Sequence, residues 1–131
     1  MVDLLAVVRQ GTGRGPRWSA ETTDLDVNLL VFGAGQGVAE HVNHEVDVLL
    51  VGVAGNGTVE VEGVPHAVGA GTALLIRRGA RRAIRGAGLD FAYLTCHRRR
   101  EPLWPAGGRA RGQAAGARAE SRARDAGRSG G

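Results

Sequence analysis

The apolar positions of this chain come in short runs of Val, Leu and Ala cut off by glycine, a pattern that favours strands over long helices. Residues 25–32 (LDVNLLVF) read as a strand that the segment GAGQG at 33–37 breaks. Residues 38–53 (VAEHVNHEVDVLLVGV) read as one irregular polar strand entering a regular one. Its apolar half, Val46 to Val53, is continuous enough for burial on both faces. Gly55-Asn56-Gly57 predicts a turn, because Gly and Asn accept positive φ at little cost. Residues 58–62 (TVEVE) alternate, with Val59 and Val61 on one face and Glu60 and Glu62 on the other. Further strands are expected at 64–68, 72–77, 81–85 and 90–97, and VDLLAVV at 2–8 predicts a first strand followed by a loop over 9–23. The sum is an all-β fold of about eight short strands, with the turn spacing of a sandwich, barrel or jelly roll. Phe91 and Tyr93 share a face and are expected to pack inside.

The pattern stops after Trp104. Residues 105–131 hold Gly, Ala, Arg and Ser with no Val, Leu, Ile or aromatic residue, so nothing there offsets the entropy of ordering. One barrel domain over residues 1–104, with its core at about 25–97, and a disordered tail over 105–131 are therefore expected. About eighty residues can bury a core adequate for one closed barrel. A homodimer would cover edge strands and add buried surface.

Charge changes this picture little. Residues 1–100 carry 11 Arg against 10 acids and residues 101–131 carry 6 Arg against 3, so most of the net +4 lies in the tail. A nearly neutral body argues against nucleic acid as a partner. There is no lysine, which removes Schiff-base chemistry. Cys96 is the single cysteine, so neither an internal disulfide nor a Cys-based zinc site is available. No apolar run approaches the roughly 18–20 residues that span a bilayer. The start, Met1-Val2-Asp3, lacks the basic region of a secretory signal. No membrane contact and a cytoplasmic location are the expectations.

Two stretches carry a family resemblance. Gly35-Gln-Gly-Val-Ala-Glu-His41-Val-Asn43-His44-Glu45-Val-Asp47, followed by an apolar strand and Gly55, resembles the first motif of the cupin superfamily. Gly69-Ala-Gly71-Thr-Ala-Leu-Leu-Ile-Arg77-Arg-Gly79-Ala-Arg-Arg82 resembles the second. The resemblance implies a jelly-roll barrel. It also implies a metal inside, held by two histidines and an acid of the first motif and one histidine of the second. Carried over residue by residue, His41 matches the first histidine, Asn43 stands at the second, and the acid falls at Asp47 or Val48. Arg77 replaces the second-motif proline and Arg82 the second-motif histidine. Arginine offers no lone pair, and its fixed charge repels a cation.

In an extended strand His41, Asn43, Glu45 and Asp47 would share one face, with His44 opposite unless a bulge re-aims it. The leading reading is a barrel that binds a small anionic or polar molecule through His41, Asn43, Asp47, Arg82 and Tyr93, with no tightly bound catalytic metal. Arg82 would hold a carboxylate or phosphate by paired hydrogen bonds, or form an ion pair with Asp47 or Glu45 at a desolvation cost. The alternative is a metal-dependent dioxygenase or isomerase, with a divalent transition metal on His41, His44 and Asp47. The third reading is a structural or interaction module with a filled barrel. Cys96 is expected as a small buried thiol, and His97 as a solvated strand exit.

Overall fold

A computed structural model of the chain describes residues 1–11 and 13–99. The tail expected at 105–131 and Trp104 lie outside the described residues. The elements are α1 (Leu4–Gln10), β1 (Gly15–Glu21), β2 (Leu25–Phe32), β3 (Gly37–Val42), β4 (Val48–Val61), β5 (Val64–Gly69), β6 (Ala73–Ile76) and β7 (Arg81–Arg98). The described residues thus hold seven strands, all antiparallel to their partners, in place of about eight short ones. The sheet does not close into a ring: its path runs β1-β2-β7-β4-β5, with β3 on β7 and β6 on β4.

The two long strands build both layers. The second half of β7 pairs with β2 and with the first half of β4, which also carries β6. The first half of β7 pairs with β3 and with the second half of β4, which also carries β5. Between the halves the β4–β7 ladder shifts register twice, between Gly52 and Ala54 and between Ala54 and Asn56. The Gly55-Asn56-Gly57 turn expected from the sequence is therefore a bulged corner inside β4. Gly55 holds φ +70°, and a Cβ there would meet the Asp90 carbonyl oxygen at 2.0 Å. A Cβ on Gly57 would meet the Phe91 ring at 2.2 Å. Bulges and glycines are the means by which a strand bends from one layer into the next.

The layers enclose one core: Leu30, Phe32, Leu50, Ile76, Phe91 and Tyr93 from the first, Val38, Val59, Val68 and Ile84 from the second. Phe91 and Tyr93 pack inside as expected, with ring centroids 5.1 Å apart, and Phe32 stacks on Tyr93 at 6.2 Å.

Two N-terminal expectations fail. Residues 4–10 form a helix, not a strand, because Asp3 caps it by accepting from the Ala6 amide at 3.1 Å, and Gly11 closes it on the Val7 carbonyl. Leu4, Val7 and Val8 then lie on one side and pack on the outer face of the first layer, over Leu29, Val31 and Ala92. Residues 15–21, read as loop, form the edge strand β1, with an irregularity between Pro16 and Trp18 that suits a proline at an edge. No helix among the described residues is long and apolar enough to cross a membrane.

Candidate functional site

Inward-facing positions of β2 and β7 alternate strictly, and they change character along the barrel. At one end Phe32 faces Phe91 and Leu30 faces Tyr93. At the other Asn28 faces Thr95 and Asp26 faces His97. All four of these polar residues are buried. The row continues through His97 to Val48 and Ile76, across β4 and β6.

Arg82 reaches the same end from the opposite layer, where it pairs with His41 of β3 and Val61 of β4. It is only 1% exposed. Its Nε donates to the Ala80 carbonyl at 2.9 Å and its Nη2 to the Arg77 carbonyl at 3.0 Å, one residue beyond Ile76. Arg81 and Arg85, its outward neighbours, are exposed. The guanidinium is therefore a fixed cation clamped by backbone dipoles at the polar end, where nothing in ordinary pH deprotonates it.

His41 is half-buried, and its Nδ1 lies 2.9 Å from the Ala39 carbonyl. A neutral ring in that position donates Nδ1–H and keeps its lone pair on Nε2, which is buried. His97 Nδ1 likewise lies 2.9 Å from a backbone carbonyl, that of Arg98. Asn43 is buried and shapes the loop after β3. Its Oδ1 accepts from the amides of Glu45 at 2.9 Å and Val46 at 3.3 Å, and its carbonyl accepts from Gly79 at 2.7 Å. Its Nδ2, the Tyr93 hydroxyl and the Thr95 hydroxyl are buried with no hydrogen-bond partner among the described residues. Burial pushes the Tyr93 phenol far above its ordinary ionisation range.

The shared face expected for 41, 43, 45 and 47 does not form. β3 ends at Val42, and the turn on Asn43 swings His44, Glu45 and Asp47 outward, where all three side chains are exposed. Asp47 Oδ1 accepts from the Arg78 amide at 2.8 Å. It lines the outer rim, not the interior beside Arg82. The donor set His41, His44 and Asp47 is accordingly not brought together, and among the described residues no three His, Cys, Asp or Glu side chains converge to hold a metal. A buried guanidinium at the place of a ligand opposes a cation as well. The residues present do not fit the metal that the resemblance implies.

The sequence reading missed Asp26, Asn28, Thr95 and His97. The signal was available: Asp26 and Asn28 have the parity of Leu30 and Phe32, and Thr95 and His97 that of Phe91 and Tyr93. His97 is buried, not a solvated exit, while Cys96, expected inside, is half-buried on the outer face. Two described grooves lie apart from this end. One, of about 620 Å³, is lined by Glu40, Thr58, Glu60 and Arg85 among others. The other, of about 460 Å³, is lined by Arg14, Arg17, Gln36 and Asp90 among others.

Neither a protein-family model nor a curated protein sequence matches the chain. Solved structures do. A protein with a double-stranded β-helix domain from Klebsiella pneumoniae superposes with a TM-score of 0.64 at 20% identity, over 75% of this chain and 88% of that one. A cupin-2 domain protein from Shewanella frigidimarina gives 0.64 at 15% identity, over 75% and 94%. KdgF from Halomonas gives 0.60 at 22% identity, over 70% and 82%. The chain has the cupin-type fold.

Proposed function

We propose that this chain is a small-molecule-binding barrel whose polar end takes an anionic ligand, without a tightly bound catalytic metal. The observation that supports this reading is the buried cation Arg82 at the same end as the Asn43 side-chain nitrogen and the Thr95 hydroxyl, which are buried with no hydrogen-bond partner among the described residues. Such atoms cost about 1–3 kcal/mol each when left unmet. A carboxylate or phosphate offers acceptors to Asn43 Nδ2 and the Thr95 hydroxyl, and its charge complements the guanidinium.

The competing reading is a filled structural barrel. It rests on the packing of Leu30, Phe32, Leu50, Ile76, Phe91 and Tyr93 through the middle of the domain. Thermal unfolding of extensively dialysed protein separates the two. On the binding reading, formate, acetate, malonate or phosphate raises Tm saturably, and Arg82→Gln removes that rise while keeping a cooperative transition. If none of these anions raises Tm, or if Arg82→Gln responds as the parent does, the filled barrel is the better account.

A further inference from the structure

We propose that the cleft beside the start of β1, outside the barrel, binds a small zwitterion with the charge pattern of a free amino acid. The β1–β2 ladder ends at the Gly15–Val31 pair. Beyond it, the chain entering β1 and the chain leaving β2 border a cleft of about 460 Å³, a size that suits a small molecule. Arg14 and Arg17 line it from the first segment, Gly33 and Gln36 from the second, and Asp90 from β7. Arg17 is held in place: its Nη1 donates to the Val8 carbonyl at 2.9 Å and its Nη2 to the Gly13 carbonyl. Gly11 leaves the room for it, since a Cβ there would meet Arg17 Cδ at 2.3 Å. Across the cleft, a Cβ on Gly33 would meet Gln36 Oε1 at 3.2 Å and Asp90 Oδ1 at 3.7 Å. Two acceptor oxygens therefore stand together over a residue that has no side chain. Gln36 is fixed there by the Gly33 amide, which donates to its Oε1 at 3.0 Å.

The cleft thus has two poles. Arg14 and Arg17 make one positive, and Asp90 with Gln36 Oε1 makes the other negative. Arg14 and Asp90 are exposed, and neither makes a hydrogen bond or an ion pair with another described residue. Opposite charges that line one concave space without closing on each other leave a gap that a molecule bearing the reverse pair can bridge. The walls of a cleft focus the field of each pole more than a convex surface would. A bare anion would meet the carboxylate of Asp90, and a bare cation would meet two guanidinium groups, so each is opposed by one pole. A free amino acid satisfies both. Its carboxylate accepts from Arg14, which has guanidinium donors to give, within the field of Arg17. Its ammonium donates to Asp90 and to Gln36 Oε1. The site lies apart from Arg82 and the polar end of the barrel, and it takes a ligand of different charge.

Backbone amide NMR of the full chain, titrated with glycine, β-alanine and γ-aminobutyrate, tests this with probes of increasing charge separation. At least one should shift the Gly13, Gly33 and Asp90 amides saturably, with a Kd of about 1 mM or tighter. Its N-acetyl and carboxamide derivatives, each lacking one charge, should bind about tenfold more weakly or worse. Arg14→Gln and Asp90→Asn should each weaken the zwitterion by a similar factor. In Asp90→Asn the N-acetyl derivative should lose its disadvantage against the parent ligand, an outcome that a merely structural role would not produce. Both side chains are exposed, and circular dichroism confirms that the variants fold. Four results overturn the proposal: no saturable shift with any probe, equal binding of the capped derivatives, unchanged binding in both variants, or shifts centred on Asn43 and Thr95. The last would place the ligand inside the barrel and leave the reading of Arg82 standing without this site.

Discussion

Replacing Tyr93 by Phe tests the interior from two directions. Tyr93 is the only tyrosine of the chain, so its ionisation can be followed without interference from another phenol. Its ring is fully buried between Phe32 and Phe91, and its hydroxyl has no partner among the described residues. Phe keeps the ring contacts and removes the unmet hydroxyl. At neutral pH Tyr93→Phe should therefore be about 1–2 kcal/mol more stable than the parent in urea unfolding, less whatever the vacated oxygen volume costs. The second direction is pH. In the unfolded chain a tyrosine ionises near ~10. In the folded chain burial holds it neutral well above that. The folded state then binds one more proton than the unfolded state once pH exceeds about 10, so stability falls as pH rises. By pH ~11 this single group should have removed about 1.4 kcal/mol from the parent and nothing from Tyr93→Phe, which serves as the control for every other titration. Phenolate absorbance gives the direct check: it should appear only on unfolding. A folded protein whose phenolate titrates near 10, or a Phe variant less stable than the parent by more than 1 kcal/mol, would refute the reasoning.

Two further outcomes are expected. Arg82→Lys should lose about 2 kcal/mol or more in urea unfolding, because an ammonium cannot reproduce the fork that bonds the Ala80 and Arg77 carbonyls together. Gly55→Ala should cost about 3 kcal/mol or more, since it adds a Cβ against the Asp90 carbonyl at a positive φ; a loss below 1 kcal/mol would show that the corner relaxes freely.

Much of the fold was legible because strand alternation is a local signal. The run 25–32 matched β2 at both ends, and the parity of Phe91 and Tyr93 placed them in the core. What failed depended on contacts that a local pattern does not carry. VDLLAVV is apolar at nearly every position, so period alone does not separate helix from strand; Asp3 and Gly11, at the ends, decided it. Glycine and asparagine at 55–57 suit a hairpin turn and a bulged corner equally, and the long partner β7 selected the corner. At the site, Arg82 as the departure from a metal-binding pattern was visible in the sequence. Its clamp on Ala80 and Arg77 was not, because it depends on how the 77–80 turn folds back. The misplacement of Asp47 and His44 has one cause: the Asn43 side chain bonds its own following amides, which ends the strand where alternation would have continued it.

The central claim is that an anion binds beside Arg82 at the polar end of the barrel. Side-chain NMR of the dialysed full chain tests it most directly, by titrating small carboxylates and phosphate while following the Arg82 Nε–H and the Asn43 Nδ2 amide. Saturable shifts at both, lost in Arg82→Gln at Asn43, are the predicted result. Shifts confined to exposed arginines, or none at Asn43 and Arg82 at any anion concentration, would contradict the account.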